Sequence, residues 1–393
     1  MTIPITKPYF GPEELLAVQR PLESGWVVQG PYVKEFEQRF SAFTGAAHSI
    51  ATSSCTTALH VAVAALGLKP GDEVIVPAFT WVATANVVEY MGARPVFCDI
   101  DLATFNLRPD LIEPLITSRT VGIIPVHLFG LSADMAPIIE IAQRHRLWVV
   151  EDAACGFGAW YRGVHAGTMG DLGCFSFHPR KSITTGEGGM IITGDADLDS
   201  RCRSLRDHGA SRSDHDRHTK SSGFLLSDYD VLGYNFRMTD IQGSLGCAQM
   251  ERAPWILERR RMIAERYDEL LADTGWLRTP AVPDGYVHGY QSYVCLFRPQ
   301  EPAPENVDSL HETRNRLMGL MEEDGVATRQ GTHAAHLQGY YREKYAIAPG
   351  DFTNAWLADR LSISLPLYAQ MTEADQDEVV TALHRSFERA GRS

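Results

Sequence analysis

The chain has 393 residues, 44% hydrophobic and 22% charged, a globular balance with ample core that excludes global disorder and collagen-like repetition. Thirty-six basic against 49 acidic residues give a formal net charge of −13, a surface that repels phosphate backbones, so no nucleic-acid partner is expected. No stretch approaches the ~20 apolar residues of a membrane span, and MTIPITKPYFGPEELLAV lacks the basic start and apolar core of a signal peptide. In chain order, TTALHVAVAALGL (56–68) sets Leu59, Ala62, Val63 and Leu66 at helical spacing ahead of the stop signal Lys69-Pro70-Gly71-Asp72. EVIVP (73–77), PVFCDI (95–100), VGIIPVHLFG (121–130) and LWVVEDA (147–153) are short apolar runs rich in β-branched residues, as buried strands are. Helical stretches lie between them at 81–91 and 135–145. CFSFH (174–178) and GMIITG (189–194) add strands on either side of a polar, glycine-rich loop. This alternation predicts an α/β domain with a mainly parallel sheet between helices.

Residues 203–234 are polar and short of aliphatics, a surface excursion whose His208, His215 and His218 read as solvated. A helix predicted over 250–273 leads into a mix of strand-like SYVCLF (292–297) and amphipathic segments. The division expected is a large α/β domain over 1–250 and a smaller α+β domain over 251–393. The seven cysteines are scattered and form no CxxC pair, so free thiols in a reducing cytoplasm are expected, with no structural metal.

Four local patterns carry chemistry. Lys181, in CFSFHPRKSITTGEGGMIIT, follows a strand among hydroxyl side chains and permissive glycines. Its ordinary reading is a solvated charge; its functional reading is an amine that forms a Schiff base with a carbonyl cofactor if its pKa is lowered. Asp152 ends the strand LWVVED, where open sheets collect ligands, and serves either as a helix cap or as the carboxylate that keeps a pyridine nitrogen protonated. SSCTTALH (53–60) is either a capped helix start or a phosphate site. Trp81, in PAFTWVATAN, is either core or a lid over a flat ring.

Together with GYNFRMTDIQGSLGCAQM, these segments resemble the DegT/DnrJ/StrS-type sugar aminotransferases, which are fold-type I pyridoxal 5'-phosphate (PLP) enzymes. The likeness runs from PITKPYFGPEE to SLPLYAQMTEADQ, and the opening is similar to perosamine-type 4-aminotransferases. It implies a large domain with a seven-stranded, mainly parallel sheet, a smaller α+β C-terminal domain, and a homodimer with shared active sites. Residue by residue, it implies that Lys181 binds the cofactor and carries the proton, and that Asp152 pairs with the ring nitrogen. Thr56, Thr57 and Ser176 hold the phosphate, Trp81 covers the ring, and Asn235 reaches the phosphate from the other subunit. Arg237 is a candidate for the donor carboxylate, and Arg329 and His336 for the acceptor pocket. Two positions depart from the family: Cys155 stands beside the ring where Gln or His is usual, and Cys55 stands where Gly is common. Cysteine is a weak donor, so contacts there differ. The activity implied is transfer of an amino group from L-glutamate to a keto group of a nucleotide-linked deoxysugar, in amino-sugar or polysaccharide biosynthesis. A keto-cyclitol acceptor is the alternative. A PLP-dependent sugar dehydratase would have histidine in place of Lys181, and a non-catalytic regulator would have lost Lys181 or Asp152.

Overall fold

The structure is a computed structural model and describes residues 2–210 and 228–391. Helices α1 (Pro12–Ser24) and α2 (Pro31–Thr44) open the chain. Each has proline in its first turn, where no intrahelical N–H is needed, and a left-handed glycine after its last, Gly25 at φ 74° and Gly45 at φ 80°. Next come β1 (His48–Thr52), α3 (Cys55–Ala65), β2 (Glu73–Pro77), α4 (Ala83–Tyr90), β3 (Arg94–Cys98), β4 (Thr120–Ile123), α5 (Met135–His145) and β5 (Trp148–Asp152). The small hairpin β6 (Trp160–Tyr161) and β7 (Val164–His165) is followed by β8 (Leu172–Ser176), β9 (Gly189–Thr193) and α6 (Ala196–Arg206).

Seven of these strands form one sheet in the order β1-β9-β8-β5-β4-β2-β3. The pairs from β8 to β3 are parallel, and β9 alone runs against its neighbours β1 and β8. Both faces are covered. Val74 and Val76 pack with Leu59 of α3 and Val87 of α4, while Ile75 and Ile123 pack with Ile138 of α5. Burial on both sides explains why residues 74–76 and 190–192 are continuous apolar runs rather than alternating ones. One expected strand is shorter: in VGIIPVHLFG the ladder stops at Ile123, because Pro125 follows and Phe129 turns to φ 59°.

Helix α7 (Asp240–Leu270) starts well before the predicted 250. The Thr239 hydroxyl accepts from the Gln242 N–H, and the Gln242 carboxamide accepts from the Thr239 N–H, a reciprocal cap that fixes this start. Its first half packs on α1 and α2, and the Asp240 carboxylate accepts from the N–H groups of Gly30 and Val33, each at 2.9 Å. Its second half reaches the C-terminal part: Arg260 Nε donates to the Tyr290 carbonyl at 2.8 Å, and the Tyr267 hydroxyl to that of Pro366 at 3.0 Å. The position 250/251 lies inside this helix. The remaining elements are β10 (Leu277–Arg278), β11 (Tyr286–Val287), β12 (Tyr293–Phe297), α8 (Val307–Glu323), α9 (Gly339–Tyr345), α10 (Thr353–Leu361), β13 (Ser362–Leu365) and α11 (Glu373–Ala390). β12 is the centre of an antiparallel sheet β10-β12-β13, and α8 packs against both α10 and α11. β11 joins the β6–β7 hairpin. Among the described residues no helix is long and apolar enough to cross a membrane. His208 is exposed; His215 and His218 lie outside the described residues.

Candidate active site

The carboxyl ends of β2, β4, β5 and β8 share one edge of the sheet, the edge at which parallel sheets collect ligands. A cavity of about 670 Å³ opens there. Thr80 and Trp81 follow β2, Val126 and Leu128 follow β4, Asp152 and Cys155 end and follow β5, and Ser176 and Lys181 end and follow β8. The opposite wall comes from Gln291, Ser292, Arg329, Gln330, Gly331 and Thr332, with Ser364 and Leu365 of β13. The sequence patterns around Lys181, Asp152 and Trp81, separated along the chain, therefore meet in one space.

Lys181 sits in the turn after β8, its N–H bonded to the His178 carbonyl at 2.8 Å. Its Nζ donates to Cys155 Sγ at 3.1 Å. Burial alone would lower this amine, but the Cys155 sulfur and the Asp152 carboxylate outweigh it and hold the amine above its ordinary value. The expected depression is thus absent while both neighbours face the amine. Asp152 is 4% exposed. Its Oδ2 accepts from the Thr84 hydroxyl at 2.7 Å and its Oδ1 from the Ala154 N–H at 3.1 Å. Burial still pushes its carboxyl above the usual range, for these donors and Lys181 do not compensate. Thr84 in turn touches Thr80 at 3.0 Å, a hydroxyl pair behind the carboxylate that nothing in the sequence pattern marked.

Helix α3 points its N-terminus at the same cavity, through Ser54, Cys55 and Thr56. Ser54 caps it by accepting from the Thr57 N–H at 3.1 Å. The Thr57 hydroxyl is spent on the same cap: it donates to the Ser54 carbonyl at 2.8 Å and accepts from the Ser54 N–H at 3.0 Å. Thr57 is not among the residues that line the cavity. Gly189, at the start of β9, lies so close to the Ser54 carbonyl that no side chain fits there. The Cys55 thiol donates to the Cys174 carbonyl at 3.6 Å, and burial holds it well above its ordinary value.

The remaining candidates separate. Arg329 lines the cavity, its backbone bridged to Ser364 and its Nη1 donating to the Thr328 carbonyl at 2.8 Å. His336 does not line it. Its ring is fully buried against Phe97 and Phe352, with Nδ1 at 3.2 Å from the Ala78 carbonyl. His333, whose ring centroid is 5.9 Å from that of Trp81, is the histidine of that segment that faces the aromatic. Arg237 does not line the cavity either: it is ion-paired with Asp207. Asn235 is exposed, away from this chain's own cavity, on a segment bridged to Asp207. Arg180, beside Lys181, also lines the cavity, and in the sequence nothing distinguishes it from a solvated charge.

These residues fit a phosphorylated pyridine aldehyde. The buried Asp152 carboxyl lacks a full cationic partner, which a ring N–H supplies. A helix N-terminus with Thr56 and Ser176 beside it suits an anion, and Lys181 brings its amine into the same cavity.

The sequence pattern of the DegT/DnrJ/EryC1/StrS aminotransferase family matches residues 8–384. The spore coat polysaccharide biosynthesis protein SpsC of Bacillus subtilis is 37% identical over 382 residues, 97% of this chain and 96% of that protein. Among solved structures, Spr1654 of Streptococcus pneumoniae, provisionally assigned as a sugar aminotransferase, matches in its PMP form with TM-score 0.91 and 28% identity, over 99% of this chain and 100% of that one. It is also solved in a PLP form. PseC of Helicobacter pylori, an aminotransferase involved in the biosynthesis of pseudoaminic acid, matches with TM-score 0.89 and 25% identity, over 99% of this chain and 100% of that one.

Proposed function

We propose that this chain, which belongs to the DegT/DnrJ/EryC1/StrS aminotransferase family, moves an amino group from L-glutamate to a keto group of a nucleotide-linked deoxysugar. At the coarser level it is a PLP-dependent sugar aminotransferase of amino-sugar or polysaccharide biosynthesis. The observation that carries the finer reading is charge: a chain of net charge −13 lines its cavity with Arg180 and Arg329. Two guanidinium groups around one space suit a dicarboxylate donor and a diphosphate-bearing acceptor taken in turn.

In this reading Lys181 holds the cofactor covalently, Asp152 holds its ring nitrogen in the protonated form, and Thr56, Ser176 and the first N–H groups of α3 hold its phosphate. Trp81, 59% exposed, and Cys155 flank the ring. Once bound, PLP supplies an electron sink. The Lys181 Nζ then takes the proton from the donor α-carbon and returns one to the carbon that gains the amine, a role worth about 10²–10⁴-fold in rate. Glutamate leaves as 2-oxoglutarate. Asn235, exposed on this chain, serves the neighbouring subunit's cavity in a homodimer. The free thiols support a reducing, cytoplasmic setting.

The visible spectrum of the PLP-loaded protein, with and without L-glutamate, tests this beside Lys181→Ala. A band that bleaches with glutamate in the wild type and is missing from the variant is expected; a band indifferent to glutamate removes the donor. A panel of nucleotide-keto-sugars tests the acceptor, and uniform inactivity removes that half.

A further inference from the structure

We propose that Cys155 and Lys181 form an oxidation-sensitive pair, which a hydroperoxide joins through a sulfur–nitrogen bond whenever the lysine amine is free. The proposal rests on the reading of Lys181 as the cofactor lysine.

The pairing is enforced by the sheet. β5 and β8 are parallel neighbours, with Asp152 opposite Cys174. Cys155 lies in the turn that follows β5, held by the Gly156 N–H bond to the Ala153 carbonyl at 2.8 Å. Lys181 lies in the turn that follows β8, held by its bond to the His178 carbonyl at 2.8 Å. Two adjacent strand ends therefore aim the side chains at each other, and Nζ meets Sγ at 3.1 Å. Both residues line the cavity, so a small oxidant reaches them.

Cys155 is also the cysteine whose setting favours reaction. Sulfur reacts where it is partly exposed and next to a cation. Cys98, Cys174, Cys202, Cys247 and Cys295 are buried, and the Cys55 thiol is turned to the Cys174 carbonyl. Cys155 is partly exposed and has the Lys181 amine against it.

The chemistry balances with hydrogen peroxide as the named oxidant. The Cys155 sulfur takes one peroxide oxygen to become a sulfenic acid, and the other oxygen leaves as water. The neutral amine of Lys181, having released one proton to solvent, then attacks the sulfur. The S–N bond forms as the S–O bond breaks, and the hydroxide leaves as water with the second amine proton. Thiol, ammonium and peroxide thus give a sulfenamide, two waters and one proton; sulfur is oxidised by two electrons and peroxide is reduced. Condensation of a sulfenic acid with a nearby nitrogen is established cysteine chemistry, reversed by thiols. The product lacks the amine that holds the cofactor. PLP bonded to Lys181 protects the pair, whereas pyridoxamine 5'-phosphate leaves the amine exposed, so the enzyme is most vulnerable when it carries an amino group and has no acceptor to pass it to.

The test compares protein loaded with PLP and with pyridoxamine 5'-phosphate, each exposed to dilute hydrogen peroxide and read by intact and peptide mass spectrometry. Expected for the pyridoxamine form is a loss of about 2 Da, in a cross-link between the Cys155 and Lys181 peptides, restored by dithiothreitol. The PLP form and Cys155→Ser should show no such loss, and Cys55→Ala should retain it in the pyridoxamine form. A gain of about 16 Da at Cys155 without a cross-link overturns the proposal. So does a loss abolished in Cys55→Ala, which marks a disulfide, or an equal loss in the PLP form. Failure of the cofactor reading is seen separately, as the absence of a visible band before peroxide is added; the pair is then tested in the protein as purified.

Discussion

A carboxylate that faces a lysine amine yet stays above its usual pKa is a cost that the cofactor-free fold carries. At Asp152 burial is the larger influence, and the Thr84 hydroxyl, the Ala154 N–H and the Lys181 amine do not offset it. A raised carboxyl binds its proton more tightly when folded, so it favours the fold at low pH and loses that contribution as pH rises through its folded value. Asp152→Asn keeps the shape and removes the charge. It should raise the melting midpoint of the cofactor-free protein at neutral pH by about 2 °C, or ~1 kcal/mol, while cutting transamination at least ~100-fold. Calorimetry and a coupled assay check the two halves, and an unchanged or lower midpoint would show that the buried charge costs nothing. The same residue shows what the sequence disclosed. Asp152 and Lys181 stand at strand ends flanked by small residues, a pattern visible in one dimension. Thr84 was not, because its contact depends on where α4 starts relative to β5. That the Thr57 hydroxyl bonds within the helix cap was not visible either, because a hydroxyl early in a helix reads the same whether it faces the cap or a ligand. His336 is buried while His333 faces Trp81, and the segment alone does not say which of its histidines does which.

Secondary elements were legible where their own residues decided them. EVIVP and residues 135–145 match β2 and α5 because apolar runs and periodicity set both. The start of α7 is obscured by Gly243 and Gly246, which lower helix propensity but serve close packing: a Cβ at Gly243 would stand 2.6 Å from the Val33 backbone nitrogen. Two effects compete in Gly243→Ala. Helix propensity gains ~1 kcal/mol, while overpacking against immovable backbone costs about 1–3 kcal/mol. The second should win, lowering the urea midpoint, and a stabilised variant would show that α2 yields. Strand β5 also anchors a loop. Glu151 is fully buried and accepts from the N–H groups of Gly167 at 2.7 Å and of Met169 and Gly170 at 2.6 Å each. His127 Nδ1 accepts from the Ala133 N–H, so its Nε2 carries hydrogen and donates to Glu151 at 2.7 Å. Burial raises the Glu151 carboxyl, but His127 and the backbone donors prevail and lower it below its ordinary 4.5. A depressed carboxyl stabilises the fold fully above that ordinary value and ceases to as pH falls through its folded one. Glu151→Gln should therefore cost roughly 2 kcal/mol at pH 7, with the gap to wild type closing in acid. Urea titrations at several pH values measure it; a gap independent of pH would show that the charge plays no part.

For the whole molecule, a net charge of −13 contrasts with a cavity lined by Arg180, Lys181 and Arg329 as well as Asp152 and Glu187, so if the arginines hold a charged acceptor its Michaelis constant should rise with salt. Apolar side chains are exposed near the start of the chain, with Leu15 at 74% and Leu22 at 58%, together with Phe10, Leu16 and Val28. Such residues are available to the homodimer proposed above. Mixing Lys181→Ala with Asn235→Ala chains tests sharing of sites. If Asn235 serves the neighbour's cavity, half of the dimers are hybrids with one intact site, and activity should recover to roughly a quarter of wild type. No recovery on exchange of subunits would place Asn235 in the site of its own chain, and full activity of the Asn235→Ala homodimer would place it outside both. Finally, Gly189 pairs with Ser176 across a short hairpin and with Thr52 across a stretch of chain roughly ten times longer, while lying against the cap of α3. The lysine turn thus belongs to a local unit, and the helix end proposed to hold the phosphate meets it across the largest sequence separation in the sheet. In a refolding chain the β8–β9 hairpin should therefore protect its amides from exchange before the β1–β9 pair does, which pulsed hydrogen exchange would check.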